Sequence, residues 1–466
     1  MCRVVPSLYR LCQTLLILGH LSQVSVNSTS QHDYRYNLDT HSILYCLYIS
    51  CERRWIDLMK PAENWAGTDI FSVYNLGAII GALCAGYLAD RYGRELVFMV
   101  SSLVYAFGTL IQLSSVTLPQ WIAGHVVLGL GIGACVTGIP IYISEIAPHT
   151  HRGRMMAMGQ LAYHAGFQLG FWLGYFIRFS PSAHPYWWLL VLAPEILLAV
   201  VLGFECYNFA PPSPRWLVAK GRDSHALEVL YLLHGEDLAE RELEQIQETF
   251  EVEGQLNLSW MAFWKNPILG MTLACGLKII QQITGTHSIM SLTHLVYSEV
   301  VRSMGRKTWL QVGTIIMVLS MLMTHLLELR IDQRPDWYGR YMLIPLPFLF
   351  YIFHNLSWAI AGSTYVSEIF PMSLRARGIA LSTALGWALK YLAEVFPDLG
   401  NAIGRGSFSV FTTIGVLAFV FARYALVETK DKSLEEITQL LLPDYFSDAE
   451  GAEREELELL NHEHTE

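Results

Sequence analysis

Gly124 to Arg154 reads GHVVLGLGIGACVTGIPIYISEIAPHTHRGR. It begins as an apolar segment with small residues at Gly129, Gly131, Gly133 and Ala134. It closes on Glu145-Ile-Ala-Pro148 and then Arg152-Gly-Arg154. A glycine seam lets one helix approach another closely inside a bilayer, where packing rather than hydrophobic burial drives association. A carboxylate at the mouth of such a helix, with arginines just beyond, reads as a packed crossing with a charged latch. The remainder of the chain repeats that plan.

Composition agrees. Of 466 residues, 53% are hydrophobic and only 15% charged, against about 25% charged in soluble domains. Apolar runs near the roughly 20 residues that span a bilayer core recur along the chain. Open strands cannot satisfy their backbone in lipid, so a polytopic all-α membrane protein is expected. The net charge of −10 reflects acids gathered in a central loop and in the tail, and Asp448 to Glu466 reads as disordered. Nothing supports a nucleic-acid partner. The eight cysteines form no paired ligand motif. Neither a zinc site nor a disulfide framework is expected, and no cofactor is implied.

Ten strong apolar segments are expected at 68–89, 97–115, 121–144, 155–177, 187–206, 267–297, 308–329, 342–369, 378–396 and 408–427. The chain divides into an ambiguous region 1–66, a helical bundle 67–206, a polar linker 207–266, a second bundle 267–427 and an acidic tail 428–466. Leu8 to Val26 reads either as a poor first crossing or as a secretory signal, and Asn27-Ser-Thr29 fits a glycosylation acceptor. Within the linker, Ser224 to Leu233 and Leu238 to Phe250 read as amphipathic surface helices.

Lys and Arg near segment ends orient the chain. Arg91 and Arg94, Arg152 and Arg154, Arg215 with Lys220 and Arg222, and Arg375 with Arg377 fall on one side, expected to be cytoplasmic. Strict alternation places Arg302, Arg306 and Lys307 on the other side.

These motifs resemble the sugar porter family of the major facilitator superfamily, particularly its fungal members. The carriers of the resemblance are Gly86-Tyr-Leu-Ala-Asp90-Arg91-Tyr-Gly93-Arg94, Pro140-Ile-Tyr142-Ile-Ser-Glu145 with Arg152-Gly153, and Ser213-Pro-Arg215-Trp216-Leu217. Further along come Gln281-Gln282-Ile-Thr-Gly285, Ser367-Glu368-Ile-Phe-Pro371 with Arg375-Ala-Arg377-Gly378, and Glu428-Thr429-Lys430. The resemblance implies two helical bundles, transport by alternating access, and no covalent chemistry. With about ten clear crossings instead of twelve, the fold is expected to be incomplete.

A carrier opens to each side in turn around a central site. Carboxylates at helix ends facing arginines across loops suit a gate that breaks as the bundles rock. Asp90, Arg91, Arg94, Glu145 and Arg152 are assigned to a cytoplasmic gate in the first half, and Glu368, Arg375 and Arg377 to one in the second. The alternative is that these charges only fix topology.

Gln281 and Gln282 lie inside an apolar segment. An amide offers both donor and acceptor, which suits a neutral polyhydroxyl ligand, and intramembrane polar groups mark a lined cavity. By resemblance Gln160 and Trp387 join them, and His287 stands where the family has an asparagine. Interhelical hydrogen bonding for the glutamines and plain packing for Trp387 are the alternatives. Gly386 replaces the family's asparagine before Trp387, and Lys390, one turn further, would place a cation near the cavity. The expected substrate is a sugar or polyol-like small molecule. Protons are a candidate coupling ion, although His125 replaces the arginine used by proton-coupled relatives. A multi-pass protein of the plasma membrane is expected. The rival readings are a non-transporting paralogue and an exporter of a fungal secondary metabolite.

Asp336-Trp-Tyr-Gly339-Arg340-Tyr341 resembles a worn copy of the loop motif expected after the eighth helix. If it faces the same side as Glu368, two crossings must lie within Met342 to Ile369. Two crossings need about 40 residues, more than that stretch contains, so a missing segment is expected there; the alternatives are one long tilted helix with part of the topology reversed, and a short hairpin that enters and returns.

Overall fold

The computed structural model describes residues 73–148, 152–153, 155–156, 158–159, 187–255, 271–283, 305–333, 345–395, 407–430 and 432–441. Every regular element among them is helical. The first bundle contributes α1 (Val73–Tyr92), α2 (Arg94–Leu113), α3 (Leu118–Ile146) and α4 (Trp187–Phe209). Three polar helices follow: α5 (Pro214–Ala219), α6 (Asp223–His234) and α7 (Glu236–Gln255). The second bundle contributes α8 (Met271–Ile283), α9 (Arg306–Gln333), α10 (Pro345–His354), a π-helical turn (Asn355–Ala359), α11 (Ile360–Glu368), α12 (Arg375–Val395) and α13 (Ser407–Tyr424). A short α14 (Leu434–Leu441) ends the described chain. Among the described residues, five helices are long and apolar enough to cross a membrane.

The glycine seam is a close main-chain contact. Gly77 and Gly81 on α1 face the carbonyls of Val126 and Leu130 on α3, and Gly129 and Gly133 on α3 face those of Tyr74 and Ala78 on α1. The other side of α3 meets α2: a Cβ at Gly131 would stand 2.7 Å from the Tyr105 nitrogen and 2.8 Å from the Ser101 oxygen. With no Cβ on either side, α3 is wedged between two backbones. The turn into α2 depends on glycine for another reason. Gly93 has φ 109°, a conformation that costs an L-side chain dearly.

The direction of the later helices corrects the expected topology. Gly305 abuts Glu428, Gln311 Nε2 bonds the Ala422 carbonyl at 3.3 Å, and a Cβ at Gly415 would stand 2.6 Å from Val318 Cγ2. Helices α9 and α13 are therefore antiparallel, and α9 begins at the end where Glu428 lies. Arg306 there bonds Glu368 at 2.7 Å. Arg306 thus stands on the same side as Arg94, Arg152 and Arg375, not opposite them. Since α9 leaves that end and α11 arrives at it, Pro345 to Glu368 makes one crossing. The argument for two crossings between Asp336 and Glu368 fails; the fragment 336–341 itself lies outside the described residues.

Pro345, Pro347, His354 and Asn355 all fall within this crossing. Pro345 opens α10, where its missing N–H has no helical partner to lose. The π turn starts at Asn355. It disturbs the regular hydrogen-bond ladder, and backbone inside a membrane must find other partners. Trp309 Nε1 donates to the Leu356 carbonyl at 2.8 Å, Ser357 Oγ to that of Phe353 at 2.5 Å, and Gln281 Nε2 reaches that of Ala359 at 3.5 Å.

The two bundles meet along α1 and α12. Near the charged end a Cβ at Gly86 would stand 2.5 Å from Ala380 Cβ and 3.0 Å from the Ala376 oxygen. Towards the other end the Tyr74 ring packs edge-on against Trp387, centroids 5.8 Å apart.

Gly133→Val is expected to lower folding stability by about 3 kcal/mol, because its methyls meet main chain that cannot yield. Gly362→Ala, whose Cβ meets nothing within 4 Å, should leave stability unchanged. Thermal unfolding of the detergent-solubilised protein compares the two.

Candidate functional site

At the charged end two buried carboxylates are served in the same way. Glu145, 1% exposed, ends α3. Arg94 from its own bundle binds it through Nε at 2.8 Å and Nη2 at 3.0 Å. The Ser213 hydroxyl donates at 2.5 Å, and Arg375 from the second bundle stands 3.9 Å away. Glu368, 0% exposed, ends α11. Arg306 from its own bundle binds it at 2.7 Å, the Thr429 hydroxyl donates at 2.8 Å, and Arg152 from the first bundle stands 3.8 Å away. Each carboxylate therefore has one short arginine bond and one hydroxyl bond within its own bundle, and one longer arginine contact across the divide. The two halves repeat one design.

A third cross-bundle pair lies nearer the surface. Arg377 Nε bonds Asp90 Oδ2 at 2.9 Å, with side chains 47% and 22% exposed. Asp90 Oδ1 is also 3.9 Å from Arg94. Charges grouped in sequence into two separate half-gates thus pair across the halves: Asp90 with Arg377, Glu145 with Arg375, Glu368 with Arg152. Arg91 does not join them. It is exposed, bonds the Tyr87 hydroxyl at 2.6 Å and lies over the Tyr92 ring.

The linker and tail fasten onto the same end. Arg215 Nη1 donates to the Glu145 carbonyl at 2.7 Å, and Trp216 Nε1 to that of Asp90 at 3.2 Å. Glu253 at the end of α7 accepts from the backbone N–H groups of Met372 at 2.9 Å and Ser373 at 2.8 Å. Glu428 accepts from the N–H groups of Arg306 at 2.7 Å and Lys307 at 3.0 Å. A carboxylate there meets unpaired N–H groups and the positive end of the helix dipole.

In the middle of the molecule, Gln281 and Gln282 lie on α8, both half-buried. Gln281 accepts from Lys278 Nζ at 3.3 Å. Helix α12 comes close at Gly386, where a Cβ would stand 3.6 Å from Gln282 Nε2 and 3.7 Å from Lys278 Cδ. A larger side chain would fill that space. Trp387 is buried at the junction with α1. The Lys390 ammonium lies 5.1 Å from its ring centroid and 5.0 Å from that of Tyr74, whose hydroxyl it also bonds. His125 is buried on α3, bonded through Nδ1 to the Gln112 amide and stacked on Trp121 at 4.2 Å. Gln160 and His287 lie outside the described residues.

The sequence reading missed Arg306, Ser213, Thr429, Glu253 and Tyr74. Arg306 had a visible signal. Gly305-Arg306 opens α9 as Gly93-Arg94 opens α2, and it is this pair, not Gly339-Arg340, that repeats the first-half motif. Tyr74 and Glu253 carried no local signal, because their partners come from the other bundle.

Comparison with known proteins extends this picture. The family model described as "Sugar (and other) transporter" matches residues 27–300 and 292–441. The glucose transporter GlcP of Staphylococcus epidermidis is 29% identical over 81% of this chain and 89% of its own. The major myo-inositol transporter IolT of Bacillus subtilis is 27% identical over 78% and 83%. Among solved structures, the proton:xylose symporter XylE of E. coli, bound to 6-bromo-6-deoxy-D-glucose, superposes with TM-score 0.78. It is 20% identical, over 94% of this chain and 99% of that one. At that identity the likeness concerns the fold: two helical bundles of the major facilitator type.

Glu145→Ala leaves buried arginines without their carboxylate and is expected to cost about 3–5 kcal/mol of stability. Arg377→Ala breaks an exposed pair and should cost about 1 kcal/mol or less. Chemical denaturation of the two purified variants separates the buried network from the surface pair.

Proposed function

The chain belongs to the sugar (and other) transporter family, an all-α family of membrane carriers and not of enzymes, and on that premise we propose which parts of it do the carrying. A sugar or polyol binds between the bundles at Gln281, Gln282 and Trp387, with Gln160 and His287 completing the site. The relatives named for glucose and myo-inositol transport support a polyhydroxylated substrate. So does the chemistry, since the amides donate and accept while the indole offers an apolar face to a sugar ring. The end carrying Glu145 and Glu368 faces the cytoplasm, following the excess of arginine there. The plasma membrane is the proposed location, where such a carrier would take up or release a soluble polyol.

One observation carries the mechanism: three ion pairs join the bundles at that end, while each buried carboxylate keeps a shorter bond at home. On this reading, the ion-paired end is the latched one. Rocking the bundles apart lengthens contacts of 3.8 and 3.9 Å and breaks the exposed Asp90–Arg377 pair, but Glu145 retains Arg94 and Ser213, and Glu368 retains Arg306 and Thr429. Neither carboxylate is stranded in an apolar setting, which would cost several kcal/mol. The latch therefore holds without locking, as alternating access requires.

Proton coupling is a separate matter. His125 binds a neutral amide and stacks on an indole, which supports passage down the substrate's own gradient. Uptake into proteoliposomes that persists with a protonophore present is the expected outcome; uptake abolished by it would establish coupling.

Cysteines replacing Asp90 and Arg377 are expected, once bridged by an oxidant, to stop uptake of labelled sugar, and to release it on reduction. Unimpaired uptake by the bridged protein would remove this end from the gate. Gln281→Ala should reduce uptake at least about tenfold with the protein still folded.

A further inference from the structure

Trp387, the ring proposed to cover the substrate, is not held by the second bundle alone. Tyr74 from the first bundle meets it edge-on. The Lys390 ammonium bonds the Tyr74 hydroxyl and lies within cation–π reach of the indole. The two ring centroids and the ammonium nitrogen form a nearly equilateral triangle, with sides of 5.0, 5.1 and 5.8 Å. Tyrosine and lysine therefore approach the indole from the same side. All three side chains are buried.

Tyr74 is a firm post. Its carbonyl lies against Gly129 of α3, where a Cβ would stand 2.2 Å from the oxygen. Its ring meets that of the buried His125 edge-on, centroids 6.3 Å apart. With no clearance between α1 and α3, Tyr74 moves only when the first bundle moves. Lys390 follows Trp387 by three residues on α12, the spacing that puts both on one helix face. An ammonium inside a membrane is costly and characteristically marks a functional contact. What this one joins is a residue of each bundle.

The level of the contact decides when it breaks. Tyr74 precedes Asp90 by sixteen residues, about 24 Å along a helix, which is most of a bilayer core about 30 Å thick. The contact thus lies in the half of the membrane away from the ion pairs. A motion that parts the bundles on that side separates Tyr74 from α12. A motion that parts them at the charged end need not.

We propose that Lys390 and Tyr74 are positioning residues for the substrate, a clasp that holds the Trp387 indole from behind. The sugar platform is then complete only while the bundles are closed on the side away from Glu145 and Glu368. The inference rests on the site proposed above and names what assembles it. The opposite side of the indole is left to the sugar ring. A substrate seated there reaches its full grip once the first bundle has closed behind Trp387, so binding favours closure on that side. Withdrawal of Tyr74 frees the indole and favours release.

The test is uptake of labelled D-glucose and myo-inositol by the full-length protein in proteoliposomes, resolved into KM and maximal rate. Tyr74→Phe removes one hydroxyl and keeps the ring, and Lys390→Met removes the ammonium and keeps the stem. Each should raise KM about tenfold and leave the maximal rate nearly unchanged. The double variant should raise KM no further, because both changes break one bond. Lys390→Arg, which keeps a cation and its donors, should restore most of the wild-type KM. A merely structural role would lower the amount of active protein, and with it the maximal rate, at constant KM. Unchanged KM in Tyr74→Phe, or effects that multiply in the double variant, would overturn the clasp. A raised KM in Gln281→Ala and Trp387→Ala would then leave the polyol site standing without it. Unchanged KM in those two as well, or a wild type that moves neither compound, would overturn site and clasp together. Should Lys390→Met fail to fold, Tyr74→Phe and Lys390→Arg decide the matter.

Discussion

Two carboxylates buried at one end of a membrane protein govern the rest of the structure. Glu145 and Glu368 have essentially no contact with solvent, and each would be intolerable there without a cation. The requirement fixes Arg94 and Arg306 at the first positions of α2 and α9, and Ser213 and Thr429 just past the ends of α4 and α13. It sets how far the bundles approach, because Arg375 and Arg152 must reach across. It also divides strong from weak contacts. The short bonds are internal to a bundle and belong to its folding. The longer contacts of these two carboxylates, to Arg375 and Arg152, cross between bundles and are the ones that the proposed motion would stretch.

The approach of α1 to α12 follows from small residues in the same way. Gly86 meets Ala376 and Ala380 at the charged end, and the wider side chains Tyr74, Trp387 and Lys390 meet further along. Within the first bundle, Gly77, Gly81, Gly129 and Gly133 remove the clearance between α1 and α3 altogether. A rigid first bundle can then move as one body against the second, which is what rocking about a central site demands. The π turn at Asn355–Ala359 puts irregular backbone where Gln281 approaches, tying the crossing to the central face of α8.

Much of this was legible in the sequence, and the reasons are local. The helices 73–92, 94–113, 118–146, 306–333 and 375–395 follow from apolar length bounded by charge, and α6 and α7 from amphipathic spacing. Glu145, Glu368 and their neighbouring arginines stood out because charge at the edge of an apolar run is expensive. What was not legible is which bundle each partner comes from. The Asp90–Arg377 pair spans almost three hundred positions, and no spacing rule reaches so far. The orientation of α9 was misread for a physical reason as well. Counting crossings assumes that every apolar run is seen, and one miscount inverts all that follows until a contact such as Arg306 with Glu368 resets it.

The polar helices between the bundles do more than connect. Their beginning is pinned to the first bundle through Arg215 and Trp216. Their end is pinned to the second through Glu253, at the turn that follows α11. A segment anchored at both ends cannot remain a slack tether when the bundles part: it must stretch, tilt or let go. If the bundles part as proposed, the polar linker is a strain gauge for the membrane part, and a change made in water, on α7 alone, would alter how readily the buried doors swing.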